Sequence, residues 1–203
     1  LEQADVSLSG HAIEVRLYAE DTLNDFLPAS GIARTWLPPI GEGIRVDHGL
    51  LPGQEVSPFY DPMIAKIIAW GENRDIARRR LLRALQTSSL FGLQTNREFL
   101  IDVLANETFA EGAATTAFIG EQYPAGVLAR PVTQAHLLLA AVLQYLESLD
   151  VSEQQMVAPL PELSGFRGNR DISSHLRYQV ADDLFADVYL RQAAPDVYRI
   201  TLD

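Results

Sequence analysis

Lys66 is the only lysine in this 203-residue chain, and an isolated amine is a candidate nucleophile or modification site. It lies in Met63-Ile64-Ala65-Lys66-Ile67, a run apolar enough to predict burial. A buried ammonium needs a counter-charge, and Asp61, across the Pro62 turn, is the nearest acidic residue in sequence. The spacing therefore predicts a structural ion pair. His11, His48, His136 and His175 are spread at no metal-ligand spacing and read as surface or hydrogen-bonded core residues, so no metal site is expected. Gly41-Glu42-Gly43 is half of a glycine-rich phosphate loop, without the third glycine or a following helix. The chain holds no Gly-Lys-Ser/Thr run and no Gly-x-Ser-x-Gly elbow. It also has no cysteine, which excludes disulfides, thiolate zinc sites and cysteine nucleophiles. Arg78, Arg79, Arg80 and Arg83 read as a solvated helix face.

The elements that must position these residues begin with strands. Ile13, Val15 and Leu17 alternate with Glu14, Arg16 and Tyr18, a period-two pattern with one wet face. A turn-rich stretch, 21–31, leads to two short strands at 32–37 and 43–46. Residues 63–70 are apolar on both faces apart from Lys66, which predicts a central strand covered on both sides. Asn73 is a fitting N-cap for a helix whose apolar stripe is Ala77, Leu81, Ala84 and Leu85. Thr95-Asn96-Arg97-Glu98 reads as a capping box, followed by the stripe Phe99, Leu100, Val103 and Leu104. A last short helix is expected over 115–122. Strands first and helices after predict an α+β lobe over residues 1–124.

Residues 125–163 read as a linker and a long apolar helix, 134–149, opened by Thr133. Its polar surface is too small for a free helix, so it is expected to pack against something. Residues 164–203 read as a truncated β-rich domain with strands at 175–180, 185–191 and 197–202, an antiparallel set too small to close a barrel. The net charge of −11 disfavours nucleic acid and anionic membrane as partners. No apolar run approaches the ~20 residues of a membrane span. The start has no secretory or transit-peptide pattern, and both ends read as cuts in a longer chain.

Six motifs in order resemble the C-terminal subdomain of biotin carboxylase from the biotin-dependent carboxylases. They run from Gly10-His11-Ala12-Ile13-Glu14-Val15-Arg16 through Phe26-Leu27-Pro28, Gly43-Ile44-Arg45-Val46-Asp47 and Tyr60-Asp61-Pro62-Met63-Ile64-Ala65-Lys66. Trp70-Gly71-Glu72-Asn73-Arg74 and Gly92-Leu93-Gln94-Thr95-Asn96 complete the set. The resemblance implies an antiparallel sheet with helices. The helix and strands after it resemble the part of acyl-CoA carboxylase α subunits that leads to the carboxyltransferase, of the methylcrotonyl-CoA or geranyl-CoA type. They imply a long helix and part of an antiparallel β-barrel.

The same resemblance implies that the whole enzyme uses ATP, Mg²⁺ and bicarbonate to carboxylate a protein-linked biotin. The ATP-grasp core and the carrier domain lie outside this chain, so the fragment alone is expected to be inactive. It assigns Arg45 to the biotin ureido oxygen, where a guanidinium stabilises the enolate formed as N1 loses its proton. Glu72 and Arg74 are assigned to an interface with a second biotin carboxylase. The implied partners are the rest of the α subunit and the carboxyltransferase β subunit, and a docking module for the latter is the alternative reading. The bacterial cytoplasm is expected over the mitochondrial matrix.

Overall fold

The computed structural model describes residues 2, 5–127, 131–155, 173–181, 183–194 and 197–203. The chain divides into two compact units, residues 1–129 and 130–203. In the first, β1 (His11–Tyr18) is followed by the short strands β2 (Glu20–Asp21), β3 (Leu27–Pro28), β4 (Gly31–Ile32) and β5 (Thr35–Leu37). Next come β6 (Ile44–His48), β7 (Glu55–Val56) and β8 (Met63–Gly71), then α1 (Arg74–Thr87) and β9 (Ser89–Phe91). Three helices, α2 (Arg97–Ala105), α3 (Glu107–Ala110) and α4 (Phe118–Gln122), close the unit. The second unit holds α5 (Gln134–Gln155), β10 (Ser174–Ala181), β11 (Leu184–Ala194) and β12 (Val197–Leu202).

The main sheet of the first unit has the order β1-β8-β6, antiparallel throughout. Its inner face stacks Ile13, Ala69 and Ile44 in one row and Val15, Ile67 and Val46 in the next. Helix α1 lies over this face, burying the four residues its spacing predicts, Ala77, Leu81, Ala84 and Leu85. Asn73 caps it as expected, its side chain accepting from the Ile76 N–H at 3.0 Å. β8 is central in order but, among the described residues, is covered mainly on one face. Lys66 and Ile68 on the other face are half-buried and Trp70 is exposed, because the described helices of this unit lie on the inner side.

Two other expectations change. Asn96, not Thr95, is the N-cap position of α2, and its side chain makes no capping bond because it is used elsewhere. Phe99 and Leu104 of the expected stripe of α2 are buried, Leu100 is partly buried against the core, and Ile101 joins the buried set. The arginine face of α1 is also only partly solvated. Arg78 donates Nη1 to the Leu104 carbonyl at 2.9 Å, and Arg80 donates to the Trp70 carbonyl at 2.9 Å and to Glu42 at 2.7 Å. These guanidiniums staple the helix to its neighbours because Arg can satisfy two acceptors at once. Arg80 also explains Gly43, whose φ is +70°: a Cβ there would lie 2.6 Å from both Arg80 Nη1 and the Trp70 carbonyl.

In the second unit the helix and the strands, expected as separate segments, share a core. Leu137, Ala141 and Tyr145, one helix turn apart, pack with Ala186, Val188 and Leu190 of β11. Thr133 opens α5 as expected: its Oγ1 accepts from His136 N at 3.4 Å while its own N–H donates to His136 Nδ1 at 3.2 Å. The strands form an open sheet, β10-β11-β12, and no closed barrel is found among the described residues.

Candidate functional site

Side chains alternate across a strand, so the residues between the core positions of β1, β6 and β8 share the sheet's outer face. Register sets Arg16, Lys66 and Asp47 in one cross-strand row, and Glu14, Ile68 and Arg45 in the next. Three cations and two carboxylates are thereby gathered from three separate stretches of sequence.

Arg45 engages Asp47 as a fork, Nε to Oδ1 and Nη2 to Oδ2, both at 2.9 Å. The Arg45 side chain is still 75% exposed, so the pair is screened and adds little to stability. Its effect is local. The hydrogen bond from Arg45, with the charges of Arg45 and Lys66 behind it, holds the Asp47 carboxyl below its ordinary range. Arg16, 61% exposed, meets Glu14 only at 3.7 Å. The Tyr18 side chain, then the Glu14 charge, holds the Arg16 pKa above its ordinary value.

The expected ion pair of Lys66 with Asp61 does not form. Asp61 turns back to accept from the Met63 N–H at 2.9 Å, and Lys66 stands between Arg16 and Asp47 instead. The reason is reach: five extended residues carry the chain about 16 Å, beyond any side-chain contact. Glu72 is exposed at the end of β8, whereas Arg74 is half-buried and engaged within its own unit. Its Nη2 donates to the Phe109 carbonyl at 2.7 Å, its guanidinium lies 5.0 Å from the Phe109 ring centroid, and Nη1 is 3.4 Å from His11 Nε2. His48 accepts from Trp36 Nε1 at 3.2 Å, and His175 meets Asp187 at 2.6 Å. No metal-binding group of side chains is found among the described residues. No helix among them is long and apolar enough to cross a membrane.

Sequence reading missed Asn96. This side chain, 6% exposed, spans from α2 to the edge of β1, accepting from Tyr18 N at 3.0 Å and donating to the Arg16 carbonyl at 3.2 Å. A buried amide beside a capping signal reads as a cap. Only its distance from an edge strand, set by the fold, shows otherwise.

An antiparallel sheet backed by helices, with a charged outer face, defines an α+β lobe, and the comparisons supply its family. Residues 14–121, more than half of the chain, match the family model described as biotin carboxylase C-terminal domain, and the chain belongs to that family. It is 33% identical over 187 residues to the mitochondrial methylcrotonoyl-CoA carboxylase subunit alpha of Dictyostelium discoideum, covering 90% of this chain and 27% of that protein. It is 42% identical over 119 residues to biotin carboxylase 1 of Bacillus subtilis, covering 59% and 26% respectively. The chain thus spans about a quarter of the length of these curated relatives. Among solved structures, the biotin carboxylase subunit of a pyruvate carboxylase is 38% identical with a TM-score of 0.59, over 60% of this chain and 27% of that one. The biotin carboxylase domain of a thermophilic 2-oxoglutarate carboxylase bound to bicarbonate is 35% identical with the same TM-score, over 60% and 28%.

Proposed function

We propose that the first unit serves as the C-terminal lobe of a biotin carboxylase that uses ATP, Mg²⁺ and bicarbonate to carboxylate a carried biotin. The lobe presents cations to the reacting ureido group and leaves nucleotide binding to the ATP-grasp core. The observation that carries this reading is the outer sheet face, where strand register aligns Arg16, Lys66 and Arg45. The half-buried Ile68 and exposed Trp70 beside them suit a surface covered by the rest of the enzyme.

N1 of the ureido ring gains nucleophilicity as it loses its proton, and the negative charge spreads to the ureido oxygen. A guanidinium fixed at that oxygen stabilises the charged form over the neutral one. Two arginines on this face compete for the role. The resemblance assigns Arg45, but two of its nitrogens are committed to Asp47. Arg16 meets Glu14 at a long 3.7 Å and Tyr18 through its side chain, without the two-nitrogen carboxylate fork that holds Arg45, so geometry favours Arg16. Separate Arg16→Ala and Arg45→Ala substitutions in the full carboxylase subunit decide between them. The residue at the ureido oxygen lowers kcat/KM for biotin strongly while ATP binding stays near wild type. If both variants keep wild-type turnover, the face does not take part.

The type of acyl-CoA carboxylase is proposed as methylcrotonyl-CoA or geranyl-CoA. The match to a methylcrotonoyl-CoA carboxylase runs over 90% of the chain, past the end of the first unit, whereas the Bacillus subtilis match covers 59%. A second role, docking of the carboxyltransferase subunit, is supported by α5. Leu139, Leu143 and Leu146 form a stripe on it that stays exposed while Leu137, Ala141 and Tyr145 are buried. Co-elution of residues 125–203 with that subunit tests the docking role, and its loss on Leu143→Lys is the expected outcome.

A further inference from the structure

We infer that Asn96 is a positioning residue for Arg16, acting through the backbone of β1. The inference rests on the reading of Arg16 given above. β1 is an edge strand of the main sheet, so alternate N–H and carbonyl groups along its free side lack a strand partner. At Arg16 and Tyr18 those groups are met by one side chain. Asn96 Oδ1 accepts from Tyr18 N at 3.0 Å and Nδ2 donates to the Arg16 carbonyl at 3.2 Å. The Asn96 backbone N–H adds a third bond, to the Tyr18 carbonyl at 3.1 Å. The amide therefore takes the place of a neighbouring strand over just the two residues that matter. One carries the guanidinium, and the other lends its side chain to it.

The location adds to the argument. The pairing of β1 with β8 shifts between Leu17 and Tyr18, directly after Arg16, where a bulge loosens the ladder. Without the amide, Arg16 would sit at the end of a slipping strand with two backbone groups unsatisfied. The partners also fix the orientation of the amide, since an N–H must face its oxygen and a carbonyl must face its nitrogen. Only Asn supplies both at this length. Asp keeps the acceptor but sets a second oxygen against the Arg16 carbonyl, and Gln is one carbon too long.

The test is a double-substitution cycle in the full carboxylase subunit, with Arg16→Ala, Asn96→Asp and the pair together. Asn96→Ser is carried in parallel in case the buried carboxylate prevents folding. The expected loss in kcat/KM for biotin on Asn96→Asp is about tenfold to a hundredfold, the scale of one lost buried hydrogen bond. Bicarbonate-dependent ATP cleavage without biotin stays near wild type. The pair is expected to be no worse than Arg16→Ala alone, because a positioning residue has nothing left to position. A residue that merely supports the fold would multiply its loss with that of Arg16→Ala, and this result would overturn the inference. So would a harmless Asn96→Asp and Asn96→Ser beside a damaging Arg16→Ala, which leaves the role of Arg16 standing. A harmless Arg16→Ala removes both.

Discussion

Adjacent residues of β8 face opposite sides of the sheet, so a pair of substitutions one position apart separates framework from working face. Ile67 is fully buried under α1, between Val15 and Val46. Ile67→Ala removes three carbons, about 2.4 kcal/mol of transfer free energy at roughly 0.8 per carbon. The cavity left in a strand held on both sides raises this to about 3–4 kcal/mol. Lys66 is half-buried and stands between one like charge, Arg16, and one opposite charge, Asp47. These neighbours nearly cancel, so Lys66→Ala costs less than about 1 kcal/mol. Urea unfolding read by tryptophan fluorescence suits the comparison, because Trp36 and Trp70 are the chain's two tryptophans and both lie in the first unit. With a slope of about 2 kcal/mol per molar, Ile67→Ala lowers the midpoint by about 1.5–2 M and Lys66→Ala by less than about 0.5 M. Equal shifts for the two variants would refute the division of the sheet into a packed and a working face.

Two further substitutions test the charged framework. Arg97 donates to the Leu85 carbonyl at 2.7 Å and the Gln86 carbonyl at 2.9 Å, tying the end of α1 to the start of α2. Arg97→Ala is expected to cost about 1–3 kcal/mol in the same urea experiment, and no change would show that water replaces the clamp. Burial first, and then the charge of Asp61, raises the Glu20 pKa above its ordinary 4.5. Its contribution is therefore fully present below that ordinary value and lost as pH rises through the folded value. Glu20→Gln should raise the melting temperature at pH 7 and bring no gain at pH 4, and the reverse order would refute the assignment.

The α+β order, the cap at Asn73, the stripe of α1 and the strands 175–180 and 197–202 were all legible in the sequence. They depend on contacts within a few residues or on a simple period, which a linear reading captures. Family membership was legible too, since ordered motifs survive as a linear pattern. The arrangement of Arg16, Lys66, Arg45 and Asp47 was not. It depends on the register between strands far apart in sequence, and a shift of one residue would turn every one of these side chains to the other face. For the same reason Lys66 was paired with the wrong acid, Asp61, and the role of Asn96 was missed. Local spacing proposes the nearest partner, and tertiary structure supplies one from 78 or 80 residues away. Sequence by itself determined the longer strands and helices and which family they belong to. The fold alone decided which charges meet, because electrostatics and hydrogen bonds act through space and not along the chain.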